Sequence, residues 1–160
     1  MKNLVLLFAV LLTLASCSTE SVNEIEQDYI MNYTPEHLQQ SEMLAMINEH
    51  RERLGLNTLT PNQPVFAEAS QHNNYMISRG KISHDNFEAR ANKITGETGA
   101  LSVAENVGKG NITVQQAFLG FLDSLEHRKN IEGDFTHVGI SIKTDPETGE
   151  FYHAQIFIKL

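Results

Sequence analysis

Apolar side chains on both sides of the last segment of the chain constrain the fold more than any other feature of the sequence. Residues 150–159 alternate between two sets of side chains: Tyr152, Ala154, Ile156 and Ile158 on one side, and Phe151, His153, Gln155 and Phe157 on the other. A period of two predicts a β-strand. Because both sets are partly apolar, the sheet needs a covering layer on each face. We therefore expect an α+β fold, a three-layer α-β-α sandwich.

Two further strands are predicted upstream of this segment. Residues 135–143 form one of them, and the connection at residues 144–149 has Pro146 and Gly149 where a hairpin needs turn residues. A shorter extended segment covers residues 103–107. Residues 95–102, TGETGALS, have the composition of a flexible loop.

Four helices are predicted from apolar spacing and from capping residues. They run from a Thr34 cap to Gly55, from residues 60–62 to about residue 78 before Gly80, from residue 87 to 94, and from a cap at Asn111 or Thr113 towards His127. The last of these leads through a polar cluster at residues 126–130 and a turn at Gly133 into the strand at residue 135.

The first sixteen residues have the charged start, short apolar run and small-residue end of a secretory signal peptide. The run at residues 4–14 is shorter than the roughly 20 residues that span a bilayer. It ends in Leu14-Ala15-Ser16-Cys17, which resembles a bacterial lipobox, in which the Cys is lipidated. We therefore predict a lipoprotein signal peptide at residues 1–16 and lipidation at Cys17. An ordinary signal peptide with an incidental Cys is the alternative.

Cys17 is the only cysteine, so the predicted globular domain at residues 41–160 has no disulfide and depends on core burial for its stability. Residues 17–40 are expected to contain the lipidated Cys and a polar tether. Removal of the signal peptide takes away Lys2, so the remaining chain has 11 basic and 20 acidic residues, a net charge of −9. Nucleic acid is therefore not an expected partner, because its phosphates require a basic surface.

Three residues are candidates for a functional site. His84 is predicted in a loop between apolar residues, and loops on rigid scaffolds often carry function. Glu105 lies in a largely apolar strand, where a buried carboxylate needs a cation, a metal or hydrogen-bond donors. The alternation of the strand leaves open that Glu105 points to solvent instead. His127 precedes the turn into a strand. His50 and His72 lie on helix faces. His50 is expected to be packed or partly exposed, and His72 to be a core histidine satisfied by a neighbouring backbone or side-chain group.

Six motifs occur together in a characteristic order. They are residues 44–59 (LAMINEHRERLGLNTL), the helix at 67–78 with His72, residues 82–84 (ISH), residues 104–106 (AEN), residues 127–131 (HRKNI) and residues 135–140 (FTHVGI). In this order the chain resembles the CAP superfamily, which comprises cysteine-rich secretory proteins, antigen 5 and pathogenesis-related 1. The match is to the bacterial, disulfide-free branch, and it covers residues 41–160.

The resemblance implies an α-β-α sandwich with a central antiparallel sheet and a cleft lined by two His and two acidic residues. The family's two His correspond to His84 and His127, and its Glu-Asn motif corresponds to Glu105 and Asn106. In several family members the two His bind a divalent cation such as zinc, which suits neutral imidazoles. At the position of the second acid this chain has Ser124, with Asp123 adjacent as a possible cleft residue.

Other departures lie beside the same site. The usual Ser-Pro-Gly-His sequence is Ser124-Leu125-Glu126-His127 here, which suggests a longer helix before His127. Phe121 stands in place of the usual Trp, and Ala104 in place of a common Gly.

Two functions are compatible with these residues. The first is an extracytoplasmic, membrane-anchored binding module whose partner is a small molecule, a lipid or a cell-envelope component. The second is a metal-dependent hydrolase with Glu105 as the catalytic base. The family resemblance favours binding, and the lack of a His-Glu-x-x-His and of a Gly-x-Ser-x-Gly motif argues against hydrolysis. A structural envelope protein is the third possibility.

Overall fold

The computed structural model describes residues 34–110 and 112–160. The predicted signal peptide, Cys17 and most of the predicted tether lie outside these residues. The last residues of the predicted tether, from Pro35 onward, belong to the first helix. No helix in the described part of the chain is both long and apolar enough to cross a membrane.

The described residues form five helices and four strands. The helices are α1 (Pro35–Arg53), α2 (Gln63–Arg79), α3 (Phe87–Thr98), α4 (Val114–Asp123) and α5 (Leu125–Ile131). The strands are β1 (Thr60–Pro61), β2 (Ser102–Gly110), β3 (His137–Thr144) and β4 (Phe151–Lys159).

The strands form one sheet in the order β1-β3-β4-β2. The predicted hairpin and antiparallel sheet are confirmed for the three long strands, since β4 pairs antiparallel with both β3 and β2. The two-residue β1 was not predicted; it pairs parallel with β3, so the sheet as a whole is mixed. Pro61 is tolerated there because β1 is an edge strand. The other edge is β2, which carries the candidate Glu105.

Two apolar cores lie on opposite faces of the sheet and confirm the three-layer prediction. On one face, side chains of α1 and α4 pack against β3 and Phe157 of β4. On the other face, α2 and α3 pack against Tyr152, Ala154, Ile156 and Ile158. The residues of β4 therefore divide between the cores as their alternation predicts.

Helix α2 packs directly on the backbone of β3 at Gly139. A Cβ atom at this position would lie 2.3 Å from the backbone nitrogen of Phe66, so a glycine is required for the close approach. Asn73 of the same helix donates hydrogen bonds to Ser141 O and Tyr152 O. This contact fixes α2, and with it His72, against the sheet.

Two helix boundaries differ from the prediction. Helix α3 continues to Thr98, so residues 95–98 are not a flexible loop; it ends at Gly99, which adopts a left-handed conformation. The helix expected to extend to His127 is interrupted at Ser124, whose extended backbone (φ −81°, ψ 119°) ends α4 and begins α5. The prediction of a longer helix before His127 is therefore wrong.

A buried arginine connects α1 to the segment that follows α5. Arg51 is 0% exposed, and its Nη1 donates to Ile131 O (2.8 Å) and Gly133 O (2.9 Å). Its Nη2 reaches Phe135 O at 3.2 Å. These bonds satisfy backbone carbonyls at the end of α5, where a helix leaves its last acceptors unpaired. They also anchor the turn that leads into β3.

Candidate functional site

The edge strand β2 presents candidate residues on both faces of the sheet. Glu105 lies on the face covered by α2 and α3, and Asn106 lies on the face covered by α4 and α5. Both side chains are buried, with Glu105 6% and Asn106 0% exposed. Because neighbouring residues of a strand point to opposite faces, the two act on different elements.

Glu105 is paired with an arginine of α3. Arg90 Nε donates to Glu105 Oε2 at 2.8 Å, and Arg90 Nη2 donates to Oε1 at 2.9 Å. A two-point contact between guanidinium and carboxylate is the strongest geometry for such a pair. Of the partners that the sequence allowed for Glu105 (a cation, a metal or hydrogen-bond donors), the structure supplies a cation, Arg90, which sequence reasoning did not identify.

The same carboxylate positions the loop histidine. His84 Nδ1 lies 2.9 Å from Glu105 Oε1, while the His84 side chain is 55% exposed. A carboxylate accepts hydrogen bonds, so Nδ1 is the donor in this contact. In the neutral ring, Nε2 is then unprotonated. An unprotonated imidazole nitrogen can ligate a metal or accept a hydrogen bond.

His72 supports the loop that carries His84. It is 3% exposed, and its Nε2 donates to Ser83 O at 2.7 Å. Burial lowers the pKa of His72, although the nearby Glu105 carboxylate, 3.8 Å away, acts in the opposite direction. The prediction of a packed histidine satisfied by a neighbouring backbone group is confirmed.

Asn106 holds α5 against the sheet. Its Nδ2 donates to His127 O at 3.1 Å, and its Oδ1 accepts from Asn130 Nδ2 at 2.8 Å. Asn130 also donates to Glu105 O at 3.2 Å. The two asparagines therefore fix the backbone on which His127 stands. Sequence reasoning did not single out Asn130.

His127 is held by aromatic contact and partial burial. Its ring lies edge-on to Phe121, with 5.1 Å between the ring centroids. Burial lowers the pKa of His127, and the positive charge of a protonated His84 lowers it further. A neutral His127 is thus favoured near pH 7, which is the state that a metal ligand requires.

The candidate histidines line different pockets along β2. A cleft of about 260 Å³ is lined by His84, Glu105 and Asn130, among other residues. A second pocket, of about 230 Å³, contains His127 together with Val107, Phe121 and His153. Within residues 34–110 and 112–160, no group of three or more His, Cys, Asp or Glu side chains is arranged to hold a metal ion.

Asp123 stands apart from Glu105 and His84. It is the last residue of α4 and is exposed. It lines neither the cleft at His84 nor the pocket at His127. The structure therefore does not bring it together with the other candidate residues.

His153 was not recognised as a site residue from the sequence. It is 3% exposed, and burial lowers its pKa to about 4. Its ring is edge-on to Phe121 with 6.2 Å between centroids. The only available signal was a histidine in a strand that is otherwise mostly apolar.

Comparison with known proteins assigns the chain to a family. The model of the cysteine-rich secretory protein family, CAP, matches residues 44–157, which is more than half of the chain. The chain belongs to the CAP family. A comparison of the chain with curated proteins found no match.

Several solved structures share the fold of this CAP domain. An outer surface protein from Borrelia burgdorferi has a TM-score of 0.70 at 17% identity, covering 79% of this chain and 96% of that one. A cysteine-rich secretory protein from Staphylococcus aureus has a TM-score of 0.67 at 20% identity, covering 79% of this chain and 40% of that one. An extracellular SCP-domain protein from Bacillus anthracis has a TM-score of 0.67 at 24% identity, covering 80% and 44%. This chain thus spans less than half of the latter two proteins.

Removing Arg90 alone should be far more damaging than removing both members of its ion pair. In Arg90→Met, the Glu105 charge stays buried without its main cation, and we expect a loss of about 3–5 kcal/mol in the free energy of unfolding at pH 7. The double variant Arg90→Met/Glu105→Met should lose much less. Urea denaturation measures both.

Arg53→Met is the control for this pair. Arg53 lies 3.7 Å from Glu49 in α1, and both side chains are largely exposed, at 63% and 68%. We expect a change below about 1 kcal/mol, as for surface ion pairs. Equal losses in Arg90→Met and in the double variant would contradict the assigned role of the pair.

Proposed function

We propose that this CAP domain is an extracytoplasmic binding module, anchored to a membrane through lipid on Cys17. The location is supported by the predicted signal peptide and by the names of three proteins with the same fold, which are outer surface, secretory and extracellular proteins. The binding role is supported by His84, whose Nδ1 is committed to Glu105 while the exposed ring retains Nε2 for a ligand.

A divalent cation such as zinc is the proposed ligand of the two histidines. His84 through Nε2 and His127 as a neutral imidazole have the donor chemistry that zinc prefers. Glu105 is already engaged by Arg90 and His84, so it does not add a free carboxylate. With two protein ligands, the remaining positions belong to water or to a bound molecule, and the affinity should be lower than at a four-ligand structural zinc site. The bound cation would act as a Lewis acid.

The contacts of Glu105 also decide between binding and hydrolysis. A general base must accept a proton from water, but both Glu105 oxygens accept hydrogen bonds from Arg90, and the side chain is 1% exposed. Glu105 is therefore better suited to orient His84 than to activate water. We propose binding rather than metal-dependent hydrolysis for this reason.

Zinc titration of the mature chain, residues 17–160, tests the binding site. We expect one zinc per chain by calorimetry, with the affinity reduced at least tenfold in His84→Ala and in His127→Ala, because each variant removes one of two protein ligands. His137→Ala is the control, since His137 contacts Thr136 rather than the site, and it should bind like the original chain. Equal binding in all four proteins would refute the assignment.

Membrane attachment is tested separately with Cys17→Ser expressed in a bacterium that processes lipoproteins. The original protein should partition into the detergent phase of a Triton X-114 extraction and incorporate labelled palmitate. The variant should incorporate none. Palmitate labelling of Cys17→Ser at the original level would exclude Cys17 as the lipidated residue.

A further inference from the structure

The pocket beside His127 has apolar walls and a buried imidazole. We call it the His153 pocket; it is lined by Ile82, Val107, Ile112, Ala117, Phe121 and His153, with Gly120 at its exposed rim. Val107, Ala117, Phe121 and His153 are 3–5% exposed and form its buried part. Ile82 and Ile112 are 43% and 38% exposed, so apolar surface continues to the opening.

His153 has unused hydrogen-bonding capacity. Neither of its ring nitrogens has a hydrogen-bond partner among the described protein residues. A neutral imidazole offers one N–H donor and one acceptor, and burying both unpaired costs free energy that a Leu or Phe at the same place would not. This polar ring at the inner end of an apolar pocket points to a ligand with a polar group.

The backbone opposite His153 creates the pocket. Gly108 of β2 is the register partner of His153 in β4. A Cβ atom at Gly108 would lie 3.0 Å from Phe121 Cζ, so the absence of a side chain admits the Phe121 ring. Phe121 in turn packs edge-on against both His127 and His153. The arrangement joins the pocket to the histidine proposed as a metal ligand.

We propose that the His153 pocket binds an uncharged small molecule with an apolar ring and a hydroxyl group that hydrogen-bonds to His153. Its volume of about 230 Å³ is sufficient for one substituted ring, since an engineered apolar cavity of about 150 Å³ holds benzene. A charged ligand is disfavoured because the walls are apolar and because Lys109, the one Lys or Arg among the described residues that line the pocket, is paired with Glu150 at 2.9 Å. His127, one of the two proposed zinc ligands, also lines this pocket, but His84 does not. The inference goes beyond the proposed metal binding, because the ligand's hydrogen bond is to His153.

Paired probes that differ by one hydroxyl test this inference. The mature chain is titrated with p-cresol and with toluene, and the ring resonances of His153 and the methyl resonance of Ala117 are followed by NMR. We expect saturable shifts with both probes. His153→Leu should weaken p-cresol binding about fivefold or more and leave toluene binding within about twofold, because only p-cresol loses a hydrogen bond.

A second pair of variants keeps the test independent of His153. Gly120 is exposed in α4, and a Cβ atom there has nothing within 4 Å, so Gly120→Leu should fill the rim without a clash and prevent binding of both probes. Gly96→Leu is the matched control in α3, where a Cβ atom also has nothing within 4 Å, and should bind both probes normally.

The outcomes separate this inference from the proposed zinc site. His84→Ala should lose zinc affinity and retain p-cresol binding. Shifts that do not saturate, p-cresol affinity unchanged in His153→Leu, or binding unchanged in Gly120→Leu would each overturn the inference. None of these results depends on whether the histidines bind zinc.

Discussion

The buried ion pair between Arg90 and Glu105 is the interaction on which the rest of the site depends. It joins helix α3 to the edge strand β2, and the same carboxylate orients His84. The free-energy cost of burying Glu105 is offset by the two-point contact with Arg90, and Oε1 also accepts a hydrogen bond from His84 Nδ1. A residue that the sequence offers as a candidate catalytic base is, in this geometry, a positioning group for an exposed imidazole.

Strand β2 contributes to both halves of the site, because its two faces are covered by different helices. Glu105 acts towards α2 and α3, whereas Asn106 acts towards α5 and fixes the backbone of His127. The edge position matters as well, since a central strand would have a further strand where the cleft and the His153 pocket lie. The candidate histidines approach this edge from separate elements, and each is held by partners on its own face.

Much of the fold could be predicted because its signals are local. The alternation in β4 identifies two covered faces, and Thr34 and Gly80 mark helix ends through their own conformations. The apolar neighbours of Glu105 favoured a buried carboxylate, but the alternation of the strand also allowed it to face solvent, and the structure shows that it is buried. What could not be predicted depends on contacts between residues that are distant in sequence. In the sequence, Arg90 has the pattern of a surface charge on a helix, and only the fold places it against Glu105 of β2. Similarly, no Pro or Gly stands at the helix break at Ser124 to predict it. Only the packed structure shows that the His153 ring nitrogens lack a hydrogen-bond partner among the described residues.

The central claim is that Glu105 fixes the His84 ring so that Nε2 is available to a ligand. Nitrogen-15 NMR of the imidazole resonances in the mature chain at pH 9, where histidines are neutral in ordinary surroundings, tests this most directly. The account predicts that Nδ1 of His84 carries the proton and Nε2 does not, and that this preference weakens in Glu105→Leu. A His84 ring protonated at Nε2, or one whose tautomer is unaffected by Glu105→Leu, would contradict it.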